Sequence, residues 1–234
     1  MAIRRLSLLS LVSTVLITGV GARADNAGDT QAGPADRPPS SGGVLILGDS
    51  ISAAYGLDRS KGWVAMLEAR LARDCPQIKV HNASVSGETS AGGLMRLPDL
   101  LDRYKPGLVV IELGGNDGLR GLSPARMRHN FEDMIKLSRA ARAEVAMLGI
   151  LIPPNYGETY RQLFERAIAD AAEQAGVPFL DFFLSGVAEH PTLMQEDGIH
   201  PNEAAQPRLL DNALQVLDGA LAALCGRSLY PSAR

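Results

Sequence analysis

Residues 44–50 of the 234-residue chain read Val-Leu-Ile-Leu-Gly-Asp-Ser. Four apolar residues run directly into Gly48, Asp49 and Ser50, which predicts a buried strand that ends in a tight turn. In an α/β protein, ligands bind at the carboxyl ends of parallel strands. The pattern therefore places the Ser50 hydroxyl where a nucleophile would act, and a serine nucleophile needs partners from other segments.

Segments with strand and helix patterns alternate along the rest of the chain. Apolar residues recur at helical spacing between the strands, as at Leu163, Phe164 and Ala167, which we expect to point inward. Further strands are predicted near residues 78–82, 108–113 and 177–180 and within residues 144–152. Because each crossover between parallel strands must cover a face of the sheet, the sequence predicts an α/β fold: a three-layer α/β/α sandwich around a flavodoxin-like five-stranded parallel sheet of order 2-1-3-4-5.

The amino-terminal residues have the pattern of a secretory signal peptide. Arg4 and Arg5 precede an apolar run over residues 6–20, and Ala22-Arg23-Ala24 matches a cleavage site. The alternative is a membrane anchor, for which the run is short. We predict cleavage after Ala24 and a periplasmic or secreted protein with no stable membrane span after processing.

The mature chain is predicted to contain one folded domain. Residues 25–42 are polar and rich in Pro and Gly, which favours a flexible tether after the signal peptide of residues 1–24. The domain is then expected over residues 43–226, with a carboxyl-terminal tail over residues 227–234. The chain has 23 basic and 26 acidic residues, a net charge of −3, and no basic patch that would indicate nucleic-acid binding.

The sequence gives no sign of a metal or a nucleotide cofactor. His, Cys and carboxylate residues do not cluster at metal-ligand spacing, and neither the G-x-G-x-x-G nor the Walker pattern occurs. Cys75 and Cys225 each end a predicted helix, and an oxidising compartment permits a disulfide without requiring one. They would be neighbours if the first and last helices share a face of the sheet, so both the bond and two free thiols stay open.

Four separated segments are expected to converge on one edge of the sheet. Ser50 follows the first strand, Gly87 the second and Asn116 the third, while Asp197 and His200 lie just before the last helix. Singly, each residue also suits an ordinary turn or helix cap. Parallel strands bring their carboxyl ends together, so we expect these five residues to form one site.

The five residues are those that acyl transfer requires. His200 can accept the Ser50 proton, and the Asp197 carboxylate can hold the imidazole in the right tautomer. The backbone N–H groups of Ser50 and Gly87 and the side-chain amide of Asn116 can form an oxyanion hole. The predicted arrangement is therefore a Ser-His-Asp triad with three oxyanion donors.

The same segments resemble a known family. Gly48-Asp49-Ser50-Ile51, the loop around Gly87, Gly115-Asn116 and Asp197-x-x-His200 are similar to the four motif blocks of the SGNH (GDSL-type) hydrolases, with Ile51 in place of the usual Leu. Within that family, longer stretches resemble the bacterial periplasmic multifunctional acyl-CoA thioesterase I, lysophospholipase and arylesterase group.

The resemblance implies the same triad and oxyanion hole, no cofactor and a monomer. It also implies an acyl groove beside the loop that follows the fourth strand, with Ile152, Pro153 and Tyr156 as candidate wall residues. The predicted function is a serine esterase that hydrolyses acyl esters, thioesters and lysophospholipids through an acyl-enzyme on Ser50. Two alternatives stay open: a carbohydrate O-acetylesterase on the same triad, and a non-catalytic ligand-binding module.

Overall fold

A computed structural model describes residues 42–228 of the chain. The predicted signal peptide, nearly all of the predicted tether and the last six residues of the predicted tail lie outside the described residues. Within residues 42–228, no helix is both long and apolar enough to cross a membrane.

The sheet has five parallel strands in the order β2-β1-β3-β4-β5, as the sequence predicts. Val44 lies between Val80 on one side and Leu108 on the other, which fixes the register at the centre of the sheet. Every residue of the two central strands β1 and β3 is buried, and this explains their continuous apolar sequence. The strands are β1 (Val44–Gly48), β2 (Val80–Asn82), β3 (Leu108–Glu112), β4 (Glu144–Leu148) and β5 (Phe179–Leu180).

The helices form two layers, which completes the three-layer α/β/α sandwich. The first helix packs against the last, while the second, fourth and fifth pack side by side. Two helices begin at side-chain caps, since Thr89 accepts from the Gly92 N–H and Ser123 accepts from the Arg126 N–H. The helices are α1 (Trp63–Asp74), α2 (Ser90–Tyr104), α3 (Gly115–Leu119), α4 (Pro124–Ala140), α5 (Glu158–Ala175) and α6 (Gln206–Cys225).

One local expectation is wrong, and one short helix has no counterpart in the sequence pattern. After β3 the chain enters the short helix α3, which follows Gly114 in the left-handed region at φ 110°. Leu163 was expected to point inward, but it is 47% exposed. The buried face of α5 passes through Phe164, Ala167 and Ile168, so Leu163 lies outside that face.

Cys75 and Cys225 form a disulfide in the structure, and the described residues include no free cysteine. The bond joins the residue that follows α1 to the last residue of α6. An ion pair of 2.9 Å between Arg227 Nη2 and Asp74 Oδ1 lies next to it. The two helices on one face of the sheet are therefore joined at their carboxyl-terminal ends.

Candidate active site

The turn after β1 presents Ser50 at the carboxyl edge of the sheet. The Asp49 side chain shapes this turn, because its Oδ1 accepts a 3.0 Å hydrogen bond from the Ile51 N–H. Gly48 is required by close approach: a Cβ there would lie 2.7 Å from the Cβ of Ser52 and 2.9 Å from a carboxylate oxygen of Glu112. A bulkier residue at position 48 would therefore displace the turn that carries Ser50.

The structure brings the three predicted triad residues together. His200 Nε2 lies 2.9 Å from Ser50 Oγ, and His200 Nδ1 lies 2.6 Å from Asp197 Oδ2. The other carboxylate oxygen of Asp197 accepts from the backbone N–H groups of Ile199 and His200, at 2.9 and 3.0 Å. Residues 150 positions apart in sequence therefore form one hydrogen-bonded chain.

The ionisation of Asp197 fixes the tautomer of His200. Hydrogen bonds from the His200 backbone and side chain and from the Ile199 N–H lower the pKa of Asp197 to about 2. The carboxylate is therefore ionised at neutral pH and can only accept, so Nδ1 of the neutral imidazole carries the proton. Nε2 is then unprotonated and accepts from the Ser50 hydroxyl, which is the state that a general base needs.

Two residues that the sequence did not single out hold the His200 loop. The Gln195 side-chain nitrogen donates to the carbonyl oxygens of Tyr55 and Pro201, at 2.8 and 3.1 Å, and its backbone N–H donates to the His200 carbonyl at 2.7 Å. The Tyr55 ring lies 4.6 Å from the His200 ring. Gln195 therefore ties the loop that carries His200 to the segment that follows Ser50.

Gly87 and Asn116 lie at the same cleft as Ser50 and His200. Gly87 has a φ of 80°, which favours glycine, and the Arg120 guanidinium donates a 2.9 Å hydrogen bond to its carbonyl oxygen. Asn116 lies in the first turn of α3, and its Nδ2 donates to Asp49 Oδ2 at 3.1 Å. The structure thus brings all five predicted site residues to one edge.

A buried polar cluster joins the helix that follows Gly87 to the helix that carries Asn116. The Asp117 carboxylate accepts from the Ser90 N–H at 2.8 Å and from the Ser90 hydroxyl at 2.6 Å, and Asn130 Nδ2 donates to that hydroxyl at 2.8 Å. Burial raises the pKa of Asp117. The cluster links α2, α3 and α4, so it fixes the spacing between the two loops.

Ser50 and His200 line a cleft of about 540 Å³. This volume lies within the range of small-molecule sites, which are mostly apolar with a few polar groups that orient the ligand. Its apolar lining comes from the loops after β1, β4 and β5, from the end of α3 and from the His200 loop: Ile51, Tyr55, Leu119, Ile150, Leu151, Ile152, Pro153, Pro154, Phe182, Leu184, Ala188, Met194 and Ile199.

Two of the three candidate wall residues line the cleft. Ile152 and Pro153 do so, but Tyr156 does not. Its hydroxyl donates a 2.8 Å hydrogen bond to the carbonyl oxygen of Leu119, and its ring lies 6.4 Å from that of Tyr160. The Tyr156 hydroxyl, at the end of the 3-10 turn Pro154–Tyr156, therefore holds Leu119, which itself lines the cleft.

Residues 46–207 match the sequence model of the GDSL-like lipase/acylhydrolase family. The chain belongs to this family. Among the relatives of this acylhydrolase, the esterase TesA of Pseudomonas aeruginosa is 55% identical over 174 residues, which are 74% of this chain and 87% of TesA. The Escherichia coli K12 protein named thioesterase 1/protease 1/lysophospholipase L1 is 43% identical over 168 residues, which are 72% of this chain and 79% of that protein.

A solved structure shares the fold of this acylhydrolase. The psychrotrophic esterase EstA from Pseudoalteromonas sp., in a crystal structure inhibited by monoethylphosphonate, superposes with a TM-score of 0.73. It is 42% identical, and the match covers 77% of this chain and 98% of EstA. The fold predicted from the alternating strands and helices and the family indicated by the motif blocks are therefore confirmed, and the chain is a hydrolase. Within residues 42–228, no group of His, Cys and carboxylate residues is arranged to hold a metal ion.

Proposed function

We propose that this hydrolase cleaves acyl esters and thioesters through a covalent acyl-enzyme on Ser50. The observation that carries the proposal is the hydrogen-bonded chain from Ser50 Oγ through His200 to the ionised Asp197, at 2.9 and 2.6 Å. This chain lies at the mouth of an apolar cleft. The three groups have the geometry of a nucleophile, a general base and the residue that orients the base.

The reaction has two half-steps. In the first, His200 Nε2 takes the Ser50 proton while Oγ attacks the acyl carbon, and the imidazolium then protonates the departing alcohol or thiol as the bond to it breaks. In the second, His200 takes a proton from water, whose oxygen attacks the acyl carbon. The bond from that carbon to Ser50 Oγ then breaks, the imidazolium returns the proton to Oγ, and the carboxylic acid leaves. The N–H groups of Ser50 and Gly87 and the Asn116 amide stabilise the oxyanion in both steps.

The proposed substrates carry an apolar acyl chain. The cleft lining is mainly apolar, and Ile152 and Pro153 come from the loop that follows β4. The names of the relatives, esterase and thioesterase 1/protease 1/lysophospholipase L1, support esters, thioesters and lysophospholipids as substrates. We further propose export by the predicted signal peptide to the periplasm or outside the cell, and action as a monomer. The disulfide suits an oxidising compartment.

A substrate panel tests the proposal. Purified enzyme is assayed with p-nitrophenyl esters and acyl thioesters of increasing chain length, with a lysophospholipid, and with acetylated sugars. We expect longer acyl chains to be preferred over acetyl groups, because each buried methylene contributes about 0.8 kcal/mol. Preference for acetylated sugars would identify a carbohydrate O-acetylesterase, and absence of hydrolysis together with absence of labelling by a fluorophosphonate would identify a binding module.

Replacement of Asn116 by alanine is expected to lower kcat by about 100-fold or more, because one oxyanion donor contributes a factor of about 10² to 10³ in serine hydrolases. KM should change little, since the oxyanion forms only after attack. The measurement is steady-state hydrolysis of a p-nitrophenyl ester by the wild type and the variant. An unchanged kcat would remove Asn116 from the oxyanion hole.

Activity is also expected to fall as the solution becomes mildly acidic. Protonated His200 cannot accept the Ser50 proton, whereas Asp197, with a pKa of about 2, stays ionised throughout this range. The acid limb of the kcat/KM profile therefore cannot come from Asp197. The profile is measured between about pH 5 and pH 8 with a substrate whose leaving group does not titrate there. A flat profile would contradict a histidine base.

A further inference from the structure

Asp49 is a buried carboxylate next to the nucleophile that the triad does not use. Only 3% of the residue is exposed. Its Oδ1 accepts from the Ile51 N–H at 3.0 Å, and its Oδ2 accepts from Asn116 Nδ2 at 3.1 Å. A single side chain therefore contacts both the nucleophile turn and the side-chain donor of the oxyanion hole.

We propose that Asp49 is a positioning residue that holds the Asn116 amide with its nitrogen toward the developing oxyanion. This inference rests on the proposed function. A carboxylate can only accept hydrogen bonds, so it selects the nitrogen end of the Asn116 amide, whose two ends have nearly the same shape. One N–H of Asn116 points to Asp49, and the second is left to donate into the cleft that Asn116 lines.

An asparagine at position 49 would no longer select the nitrogen end of the Asn116 amide. It could still accept from the Ile51 N–H through its carbonyl oxygen, but its amide nitrogen would then face Asn116. Asn116 would have to turn over and offer its own oxygen, which moves both of its N–H groups away from their present positions. The nucleophile turn would stay in place while the oxyanion donor changed direction.

The placement of this carboxylate opposes folding at neutral pH. Burial raises the pKa of Asp49 to about 6, and the charged groups that act on it are Glu112 at the end of β3, Asp117 in α3 and His200. The unfolded group titrates near 4, so the native state binds more protons between about pH 4 and pH 6. The free energy of unfolding therefore falls as the pH rises through that window, because ionised Asp49 is less stable in the native state than in the unfolded state. A residue kept only for stability would not behave in this way.

The test is the Asp49→Asn substitution, which keeps the size of the side chain and removes its charge. We expect D49N to lower kcat by about tenfold or more with KM changed by less than about twofold. We measure the melting temperature of D49N minus that of the wild type at each pH. This difference should be more positive at about pH 7 than at about pH 4.

A double-variant cycle separates a positioning role from a general structural one. If Asp49 acts through Asn116, D49N should lower kcat by less than about twofold in an Asn116→Ala background, because the amide that it orients is already absent. The inference would be overturned by equal losses of kcat in both backgrounds, by a wild-type kcat for D49N, or by a D49N melting temperature that shows the opposite pH trend. Failure of the proposed function is distinct, since it would appear as a wild type without esterase activity or an active Ser50→Ala variant.

Discussion

Replacement of Ser50 by alanine is expected to lower kcat/KM for ester hydrolysis by about 10⁴-fold or more, because loss of the nucleophile abolishes the covalent route. In the structure, Ser50 Oγ is the group that His200 Nε2 contacts, at 2.9 Å. Without it, the imidazole can activate only a water molecule, and the oxyanion donors alone give a small residual rate. The measurement is hydrolysis of p-nitrophenyl esters, together with labelling by a fluorophosphonate.

Ser86 offers a matched control for this experiment. It lines the same cleft as Ser50, but the hydroxyl that donates to His200 Nε2 is that of Ser50. Ser86→Ala should keep kcat/KM within about threefold of wild type and should still be labelled, whereas Ser50→Ala should not be labelled at all. If Ser50→Ala kept more than about one per cent of the wild-type activity, the acyl-enzyme mechanism would be wrong.

The sheet could be predicted from sequence because its central strands are buried on every residue. The continuous apolar runs of β1 and β3 indicate a parallel sheet that is buried on both faces by helices. The right-handed crossover rule then restricts the order of the strands. The elements that the sequence missed are short. Helix α3 has only five residues, two of them Gly, so it carries no apolar periodicity. The apolar side chain of Leu163 predicts an internal position, but Leu163 is exposed because it lies outside the buried face of α5.

The site was predictable where residue type alone limits the chemistry. A serine, a histidine, an aspartate and an asparagine after successive elements have few common uses other than acyl transfer, and the structure places them together. The residues that hold the site loops in place could not be predicted from the sequence. Gln195 and Arg120 are ordinary surface residue types, and their hydrogen bonds to backbone carbonyls depend on loop conformations that periodicity does not encode. The position of Tyr156 in the loop predicts a place in the cleft wall, whereas its hydroxyl bonds to the Leu119 carbonyl and the residue does not line the cleft.

Removal of the disulfide between Cys75 and Cys225 is expected to cost about 5 kcal/mol of unfolding free energy, since the bond closes a loop of 150 residues and restricts the unfolded chain. For a domain of this size, each kcal/mol corresponds to about 2 to 4 °C, so the melting temperature should fall by about 10 to 20 °C. The measurement is thermal unfolding of the wild type with and without a reductant, and of a Cys75→Ser/Cys225→Ser variant.

The neighbouring ion pair provides the control for this prediction. Arg227 Nη2 lies 2.9 Å from Asp74 Oδ1 at the same helix ends, so Arg227→Ala disturbs the junction without breaking the covalent link. An exposed pair of this kind contributes about 1 kcal/mol or less, and the variant should melt within about 4 °C of wild type. If reduction also shifted the melting temperature by only that amount, the covalent bond would not be what holds α1 to α6. The packing of the two helices on the sheet would then account for their contact by itself.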